Sequence, residues 1–437
     1  MRVGVIGLGY LGVTHAVAMA SLGHEVVGIE ASPDRLEQLK AGKLPFYEPG
    51  LAEAMAEVVG AGLLSFEASG EAASDCELFF LCVGTPQTSG SNAADTSFVF
   101  AAGEALAKVM ASSTVVVGKS TVPVGTADSL QKKMSEIAGF DVKLAWNPEF
   151  LREGTALEDS LKPDRIVIGA WHSESVEALR NCYEKIIAAG TPVIKTDVAT
   201  AELVKVAANA FLATKVSFIN AMAEVAEASG ADAVSLAEAI GYDERIGKKF
   251  LRTGVGFGGG CLPKDIRGFI ARAQELGVGS AVSFLEDVDA INLRRRQRVV
   301  DLAEQELGSL SGKKILVLGL SFKPDSDDMR DSPALDIALK LAASGAEVTV
   351  HDPVALETLG DRHPELVREN DLDAGFEGKD LVVLATEWQQ YRELDPAAAI
   401  RRVARATVID GRNVLDVQRW QEAGWKLIAL GRNVHKN

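Results

Sequence analysis

Val3-Gly4-Val5-Ile6-Gly7-Leu8-Gly9-Tyr10-Leu11-Gly12 decides the fold. Val3–Ile6 is a short β-branched run that predicts a buried strand, and G-x-G-x-x-G follows it at once, opening a helical pattern over Leu11–Leu22. Glycines there permit a tight turn and let a pyrophosphate approach a helix N-terminus, where free N–H groups and the dipole favour anions. The hexapeptide alone is a weak signal, because a glycine turn that only packs a helix has the same spelling. Its context strengthens it. A second strand, Glu25–Ile29, ends at Glu30, about where an acid should meet ribose hydroxyls. Glu30 also repels a 2′-phosphate, so NAD is the expected cofactor rather than NADP, although Arg35 nearby weakens that preference.

Outward from this turn, Leu78–Cys82, Val115–Gly118, Lys143–Trp146 and Ile166–Gly169 repeat the strand pattern, with helical runs such as Pro33–Ala41 and Phe98–Met110 between them. Strands alternating with helices imply parallel βαβ units in a doubly wound sheet. From about Thr200 the pattern changes. Ala201–Ser229 predicts one long helix without Gly or Pro, followed by Ala233–Ile240, a glycine-rich loop, Pro263–Leu276 and Val282–Leu307. Its many small residues suit close helix packing, and a homodimer interface is the reading favoured for it. Alternation restarts at Lys313–Gly319 and continues with Glu347–His351, Asp380–Ala385 and Thr407–Asp410. The expected fold is α/β: two Rossmann-like doubly wound domains, at 1–199 and 309–437, joined by a long-helix α domain at 200–308. The second repeat, Gly319-Leu320-Ser321-Phe322, lacks the full glycine fingerprint and implies another mode of nucleotide binding.

Composition sets limits on function. At 437 residues, with 47% hydrophobic and 24% charged, the chain reads as a globular protein of two or three domains. A net charge of −16 disfavours phosphate backbones and anionic lipid, so no nucleic-acid or membrane partner is expected. The chain opens on a strand pattern without the features of a leader, and no apolar run looks long enough to span a bilayer. A cytoplasmic enzyme is the expectation. Cys76, Cys82, Cys182 and Cys261 have no metal-ligand spacing; no metal is expected, and the first three read as packed thiols.

Cys261 differs. It ends Gly254-Val255-Gly256-Phe257-Gly258-Gly259-Gly260 and precedes a helix start at Leu262-Pro263-Lys264-Asp265. Glycines leave space for a ligand, helix N–H groups stabilise a thiolate, and Lys264 adds positive charge, which are the needs of a nucleophile. Asp265 is placed to handle protons. The alternative is a flexible turn with a packed thiol.

With these stretches in hand, the chain resembles the UDP-glucose/GDP-mannose dehydrogenase family from its first strand to its C-terminal unit. Tyr47–Leu51, Gly118–Thr126, Asn147–Gly154, Glu202–Ala210, the Cys261 loop and Phe322–Arg330 carry the likeness, in the right order. It implies a four-electron oxidation that uses NAD twice. A primary alcohol becomes an aldehyde, Cys261 attacks it, and the thiohemiacetal is oxidised to a thioester that water hydrolyses. A thiolate suits this because it turns an aldehyde into a hydride donor and then leaves from an acyl group.

The resemblance also implies roles for residues. Lys205 and Asn209, four apart and so on one helix face, stabilise the reacting oxygen; from residues alone, Lys205 would read as a solvated helix lysine. Asp265 accepts protons with a water, Glu149 positions water for hydrolysis, and Thr121 supports that network. Beside the turn at Gly7, Gly9, Tyr10, Leu11 and Gly12, NAD contacts fall on Glu30, Arg35, Thr85, Ser120, Thr121, Glu153, Lys264 and Arg330. The nucleotide sugar falls to Phe150, Leu151, Arg152, Lys205, Asn209, Phe250, Leu251, Gly258, Phe322, Lys323 and Arg412. Arg245 matches an arginine that reaches the partner subunit's substrate, so the site is completed in a homodimer. Two departures stand out: Gly260 replaces a common serine, and Glu30 replaces the usual aspartate.

Glu153–Ala156, Lys162–Gly169 and Lys323–Asp331 look like the branch that oxidises UDP-glucose to UDP-glucuronate, with GDP-mannose as the alternative substrate. The acetamido-sugar branch differs in having His before the cysteine and lacking the Lys-Asp pair. More distant rivals are a two-electron β-hydroxyacid dehydrogenase and an NAD-binding regulator. Cys261 and the second Rossmann unit count against the first. Lys205, Asn209, Cys261 and Asp265 together count against the second.

Overall fold

A computed structural model describes residues 1–433; residues 434–437 of the expected third domain lie outside them. The chain packs as two units. One comprises Met1–Ala208 with Arg267–Gly279, the other Asn209–Ile266 with the chain from Ser280 onward.

The first unit holds β1 (Arg2–Ile6), β2 (Glu25–Ile29), β3 (Leu64–Glu67), β4 (Leu78–Leu81), β5 (Val115–Gly118), β6 (Lys143–Trp146), β7 (Ile166–Ala170) and β8 (Val193–Thr196). Their order is β3-β2-β1-β4-β5-β6-β7-β8. Chain order reverses between β1 and β4, the switch point at which doubly wound sheets bind ligands. The expectation of a wholly parallel sheet needs one correction: β7 runs antiparallel to β6. A parallel return needs a long crossover, whereas the intervening stretch forms a loop and only a six-residue helix, Ala156–Leu161.

Strand alternation sends Phe80 to one face of this sheet and Phe79 to the other, both fully buried. Each such ring contributes about 1.5–3 kcal/mol. Phe79 lies opposite Gly4, and Trp146 opposite Gly118. A Cβ at either glycine would run into the facing ring.

The second unit repeats the pattern with β9 (Lys314–Leu318), β10 (Glu347–His351), β11 (Leu366–Arg368), β12 (Leu381–Leu384), β13 (Thr407–Asp410) and β14 (Lys426–Ala429). The order β11-β10-β9-β12-β13-β14 is that of the first six strands of the other sheet, here all parallel.

The long helix covers Val198–Ser229 and starts earlier than expected. Asp197 caps it, accepting the Thr200 amide at 2.8 Å and hydroxyl at 2.7 Å. Gly230, at φ +76°, ends it. By length and composition this helix could cross a bilayer, which corrects the expectation that no apolar run is long enough. A buried core helix meets the same two conditions. In this one, 44% of the most apolar stretch is buried, and Glu202, Lys205 and Asn209 sit buried in polar contacts.

Candidate active site

In the first unit the three glycines of the turn have separate tasks. Gly7 takes φ +89° and donates its N–H to Ile29 O at 2.9 Å. A Cβ at Gly12 would strike the Gly7 carbonyl, so Gly12 sets the helix against the turn. Nothing lies within 4 Å of a Cβ placed at Gly9, the N-cap of the helix Tyr10–Ser21, and no side chain caps that helix or puts an acid in its first turn. The helix thus begins uncapped by any side chain and uncrowded at Gly9, an arrangement that fits a pyrophosphate. Glu30 is buried; it accepts the Leu8 amide at 3.0 Å, the Ser32 amide at 2.8 Å and Arg35 at 3.3 Å. Thr85 and Ser120 brace the ends of β4 and β5: the Thr85 hydroxyl donates to Thr121 O (2.7 Å) and Ser120 to Val83 O (2.7 Å).

The segment Glu149–Ala156 gathers five of the expected residues and is pinned throughout. Glu149 accepts the Leu151 amide at 2.6 Å and the Lys205 ammonium at 2.8 Å, an ion pair largely shielded from solvent. The Arg152 side chain is turned onto Asp159 (Nη2–Oδ1 2.5 Å), and its backbone is engaged too, the N–H donating to Asp159 at 2.9 Å and the C=O accepting the Thr155 amide at 3.0 Å. Beyond Glu153, the amides of Gly154 and Ala156 both donate to Glu48 at 2.7 Å. Glu48 also accepts the Tyr10 hydroxyl at 2.5 Å. Burial and this carboxylate push the Tyr10 phenol far up, so it stays a donor. Glu48 therefore ties the dinucleotide turn to the Glu149–Ala156 segment. Its only mark in the sequence is an acid directly before Pro-Gly within Tyr47–Leu51, which assigns it no task. Phe150 lies beneath Arg165 (3.7 Å) and Lys205 (5.8 Å).

In the second unit Cys261 is exposed and stands immediately before the helix Leu262–Glu275. One turn on, Asp265 is buried between two donors: Lys264 Nζ at 2.6 Å on Oδ1 and Asn209 Nδ2 at 2.6 Å on Oδ2. Lys205 and Asn209 share one face of the long helix one turn apart. The other thiols are buried, and burial pushes Cys76 up to about 11 and Cys82 and Cys182 up to about 12, which keeps them protonated.

The glycine run before Cys261 is neither flexible nor open. Asn292 clasps Phe257 by both its N–H (2.7 Å) and its C=O (2.9 Å). Gly259 donates to Arg330 O at 2.9 Å and Gly260 to Asp328 Oδ2 at 3.2 Å. Side chains at Gly258, Gly259 and Gly260 would overlap Asp331, Phe322 and the Arg330 guanidinium in turn. The 322–331 segment packs directly against these three glycines. At Gly260 an arginine stands where the family's serine would point.

All four non-glycine residues with left-handed φ in the described chain lie in this unit: Phe250 (63°), Asp325 (60°), Asp331 (47°) and Asn413 (55°). Each is, or closely neighbours, an expected nucleotide-sugar position, and strained backbone of this kind clusters at ligand sites. Leu251 is buried behind Phe250, and Lys323 lies near the Phe322 ring at 5.5 Å. Arg412 is already engaged, donating to Ala385 O (2.7 Å), Gly256 O (3.0 Å) and Phe322 O (3.0 Å). Arg245 is 89% exposed and held by Asp243, apart from these groups. Among the described residues no cluster of three or more His, Cys, Asp or Glu could hold a metal.

Comparison with known proteins agrees with this layout. The chain matches the NAD binding domain of the UDP-glucose/GDP-mannose dehydrogenase family over residues 1–187, its central domain over 199–294 and its UDP binding domain over 316–417. It is 38% identical over 442 residues to a UDP-glucose 6-dehydrogenase of Rhizobium meliloti (strain 1021), covering 99% of this chain and 100% of that one. Against the Pseudomonas aeruginosa UDP-glucose 6-dehydrogenase the identity is 37% over 445 residues, with 99% and 98% covered. A solved UDP-glucose dehydrogenase from the hyperthermophilic archaeon Pyrobaculum islandicum superposes with a TM-score of 0.90 at 39% identity, covering 99% and 98%. With three successive domains matched and full-length likeness in sequence and fold, this chain belongs to the UDP-glucose/GDP-mannose dehydrogenase family.

Proposed function

We propose that the protein oxidises UDP-glucose to UDP-glucuronate with two NAD and one water, releasing two NADH and three protons. NAD, when bound at the Gly7–Gly12 turn, accepts one hydride in each oxidation. Lys205 and Asn209 donate to the sugar O6 as it becomes an alkoxide, and Asp265 takes its proton through a water. The Cys261 sulfur bonds to the aldehyde carbon, and the thioester left by the second oxidation is opened by a water that Glu149 orients. The sulfur departs as thiolate, favoured by its place at a helix N-terminus.

The observation that supports this reading most is the exposed Cys261 thiol one turn ahead of Asp265, itself bracketed by Asn209 and Lys264. The full-length likeness to UDP-glucose 6-dehydrogenases supports the sugar. Residues 1–199 then bind NAD, 200–308 carry Cys261 and the dimer contact, and 309–437 bind the UDP moiety. The dimer contact is read from Phe211, Phe218 and Val225, which recur every seven residues on the long helix and are 67%, 50% and 57% exposed. Arg245 would complete the partner's site. The cytoplasm is the proposed compartment, in keeping with four cysteines that stand outside any disulfide.

The test is NADH formed per nucleotide sugar with UDP-glucose, GDP-mannose and UDP-N-acetylmannosamine. Two NADH per UDP-glucose is expected, with Cys261→Ser slowed by orders of magnitude. One NADH with free aldehyde would refute the thioester route, and wild-type turnover by Cys261→Ser would refute the nucleophile.

A further inference from the structure

Lys119 is a buried cation of the first unit that the proposed reaction leaves unused. It follows β5 directly, is buried, and points its ammonium into the core. Nζ donates to Asn147 Oδ1 at 3.0 Å and to the Tyr183 hydroxyl oxygen at 3.4 Å. The Tyr183 hydroxyl in turn donates to the same Asn147 oxygen at 2.8 Å, and Asn147 Nδ2 donates to Val167 O at 2.8 Å. The rings of Phe80 and Tyr183 line its sides, each 5.8 Å from Nζ. Among the described residues no carboxylate stands within ion-pair distance of it. An ammonium held by two neutral oxygens in a hydrophobic core is unfavourable, and an apolar chain of the same length would pack there at lower cost.

Several elements present ionisable groups to Lys119. The helix Tyr10–Ser21 supplies His15, and the end of β4 supplies Cys82. Glu149 stands two residues beyond Asn147, Cys182 and Tyr183 come from the helix Ser173–Cys182 and its end, and Lys205 comes from the long helix. Burial lowers the ammonium's affinity for its proton, while Glu149 acts in the opposite sense. Glu149 is thus one carboxylate within reach of two lysines, and only Lys205 touches it.

We propose that Lys119 is a positioning residue: its buried charge, with its hold on Asn147, tunes the Glu149–Lys205 ion pair. The inference rests on the reading of Glu149 and Lys205 as site residues. Removing a cation bonded to Asn147, two residues before Glu149, takes away a charge that favours that carboxylate and opposes the ammonium paired with it, so both limbs of the pH profile move up.

The test is the pH profile of NADH formation from UDP-glucose for wild type, Lys119→Met and Lys119→Arg, with melting temperatures alongside. Lys119→Met is expected to melt no lower than wild type while both limbs of its profile move up by about half to one pH unit. Lys119→Arg should keep the wild-type limbs. If Lys119→Met does not fold, Lys119→Gln, which keeps a donor for Asn147 without charge, takes its place with the same expected shift. A folded variant of lowered activity whose limbs match wild type would overturn the proposal, as would Lys119→Arg shifting like Lys119→Met. Glu149→Gln and Lys205→Ala with wild-type rates and profiles would instead overturn the reading of the pair beneath it.

Discussion

Glu48→Gln tests whether one buried carboxylate holds the Glu149–Ala156 segment to the dinucleotide turn. Oε2 accepts Tyr10 Oη and the Gly154 amide, and Oε1 accepts the Ala156 amide. Glutamine offers one acceptor oxygen, so its NH2 must face either Gly154 or Ala156. That side loses a hydrogen bond to a charged acceptor and gains a donor facing a donor, about 2–4 kcal/mol in all. At about 1.4 kcal/mol per tenfold, exchange of the affected amide should accelerate about 30- to 1000-fold. Hydrogen exchange resolved over residues 150–158 reads this directly. Amides of β5 should exchange as in wild type, which separates local release from global unfolding. Tyr10→Phe keeps both carboxylate oxygens and should accelerate exchange less than Glu48→Gln. Wild-type protection of both Gly154 and Ala156 in Glu48→Gln would refute the tie.

Gly4→Ala drives a methyl into the Phe79 ring and should cost about 1–3 kcal/mol, seen as a lower urea midpoint. His15 is fully buried; burial first, then Lys119 and His24, hold its imidazole well below the usual range. The unfolded chain takes up this proton below about pH 6.5 and the folded chain does not, so its contribution is complete above that pH and lost as pH falls, by up to about 1.4 kcal/mol per pH unit. The urea midpoint of wild type should drop between pH 6.5 and 5.5 more steeply than that of His15→Phe. Phe218→Asp should shift the protein from dimer to monomer in light scattering and reduce turnover, and an unchanged mass would refute the helix stripe as the contact. Gly260→Ser meets only the far end of a long, largely exposed Arg330 side chain, so stability should hold within about 0.5 kcal/mol while the KM for NAD rises.

The strands missed in the sequence share one property: β3, β8, β11 and β14 are the four outer strands of the two sheets. Inner strands of a parallel sheet are buried on both faces and spell continuous apolar runs, as in Leu78–Leu81 and Leu381–Leu384. An edge strand such as Leu-Val-Arg at 366–368 is three residues long and half exposed, and carries too little pattern to read. The site was legible where function demands a rare residue in a rare place: the glycine turn, Glu30, and a cysteine before a helix. Its supports were not. Glu48, Lys119 and Glu202 act through contacts with residues tens of positions away. Glu202, for instance, accepts the Gly125 and Ala127 amides at the start of another helix (2.8 and 2.7 Å). No spacing within its own helix announces that.

The two sheets show why only one end of the chain is suited to a dinucleotide. Each begins alike: Gly7 and Gly319 take left-handed φ, and their amides donate to Ile29 O and His351 O at the end of the second strand. Each then sets an acid beyond that strand, Glu30 or Asp352, which accepts the Leu8 amide at 3.0 Å or the Leu320 amide at 2.7 Å. There the likeness stops. Asp352 also accepts the Ser321 amide and hydroxyl, the Trp388 indole and the Val354 and Ala355 amides, more donors than the roughly four lone-pair sites of a carboxylate. Glu30 meets three, one of them a half-exposed arginine, and so keeps acceptor capacity for ribose hydroxyls. In the proposed reaction two hydrides must then leave through one dinucleotide site, with the first NADH exchanged for NAD before the second transfer. A sugar aldehyde free to diffuse would be lost during that exchange. In that proposal a bond to Cys261 would hold it, so the thiol would serve retention as much as chemistry. Cys261→Ser should therefore lose the second oxidation and release aldehyde whenever NADH exchange is made slow by added NADH, and retention of the aldehyde by that variant would refute the tether.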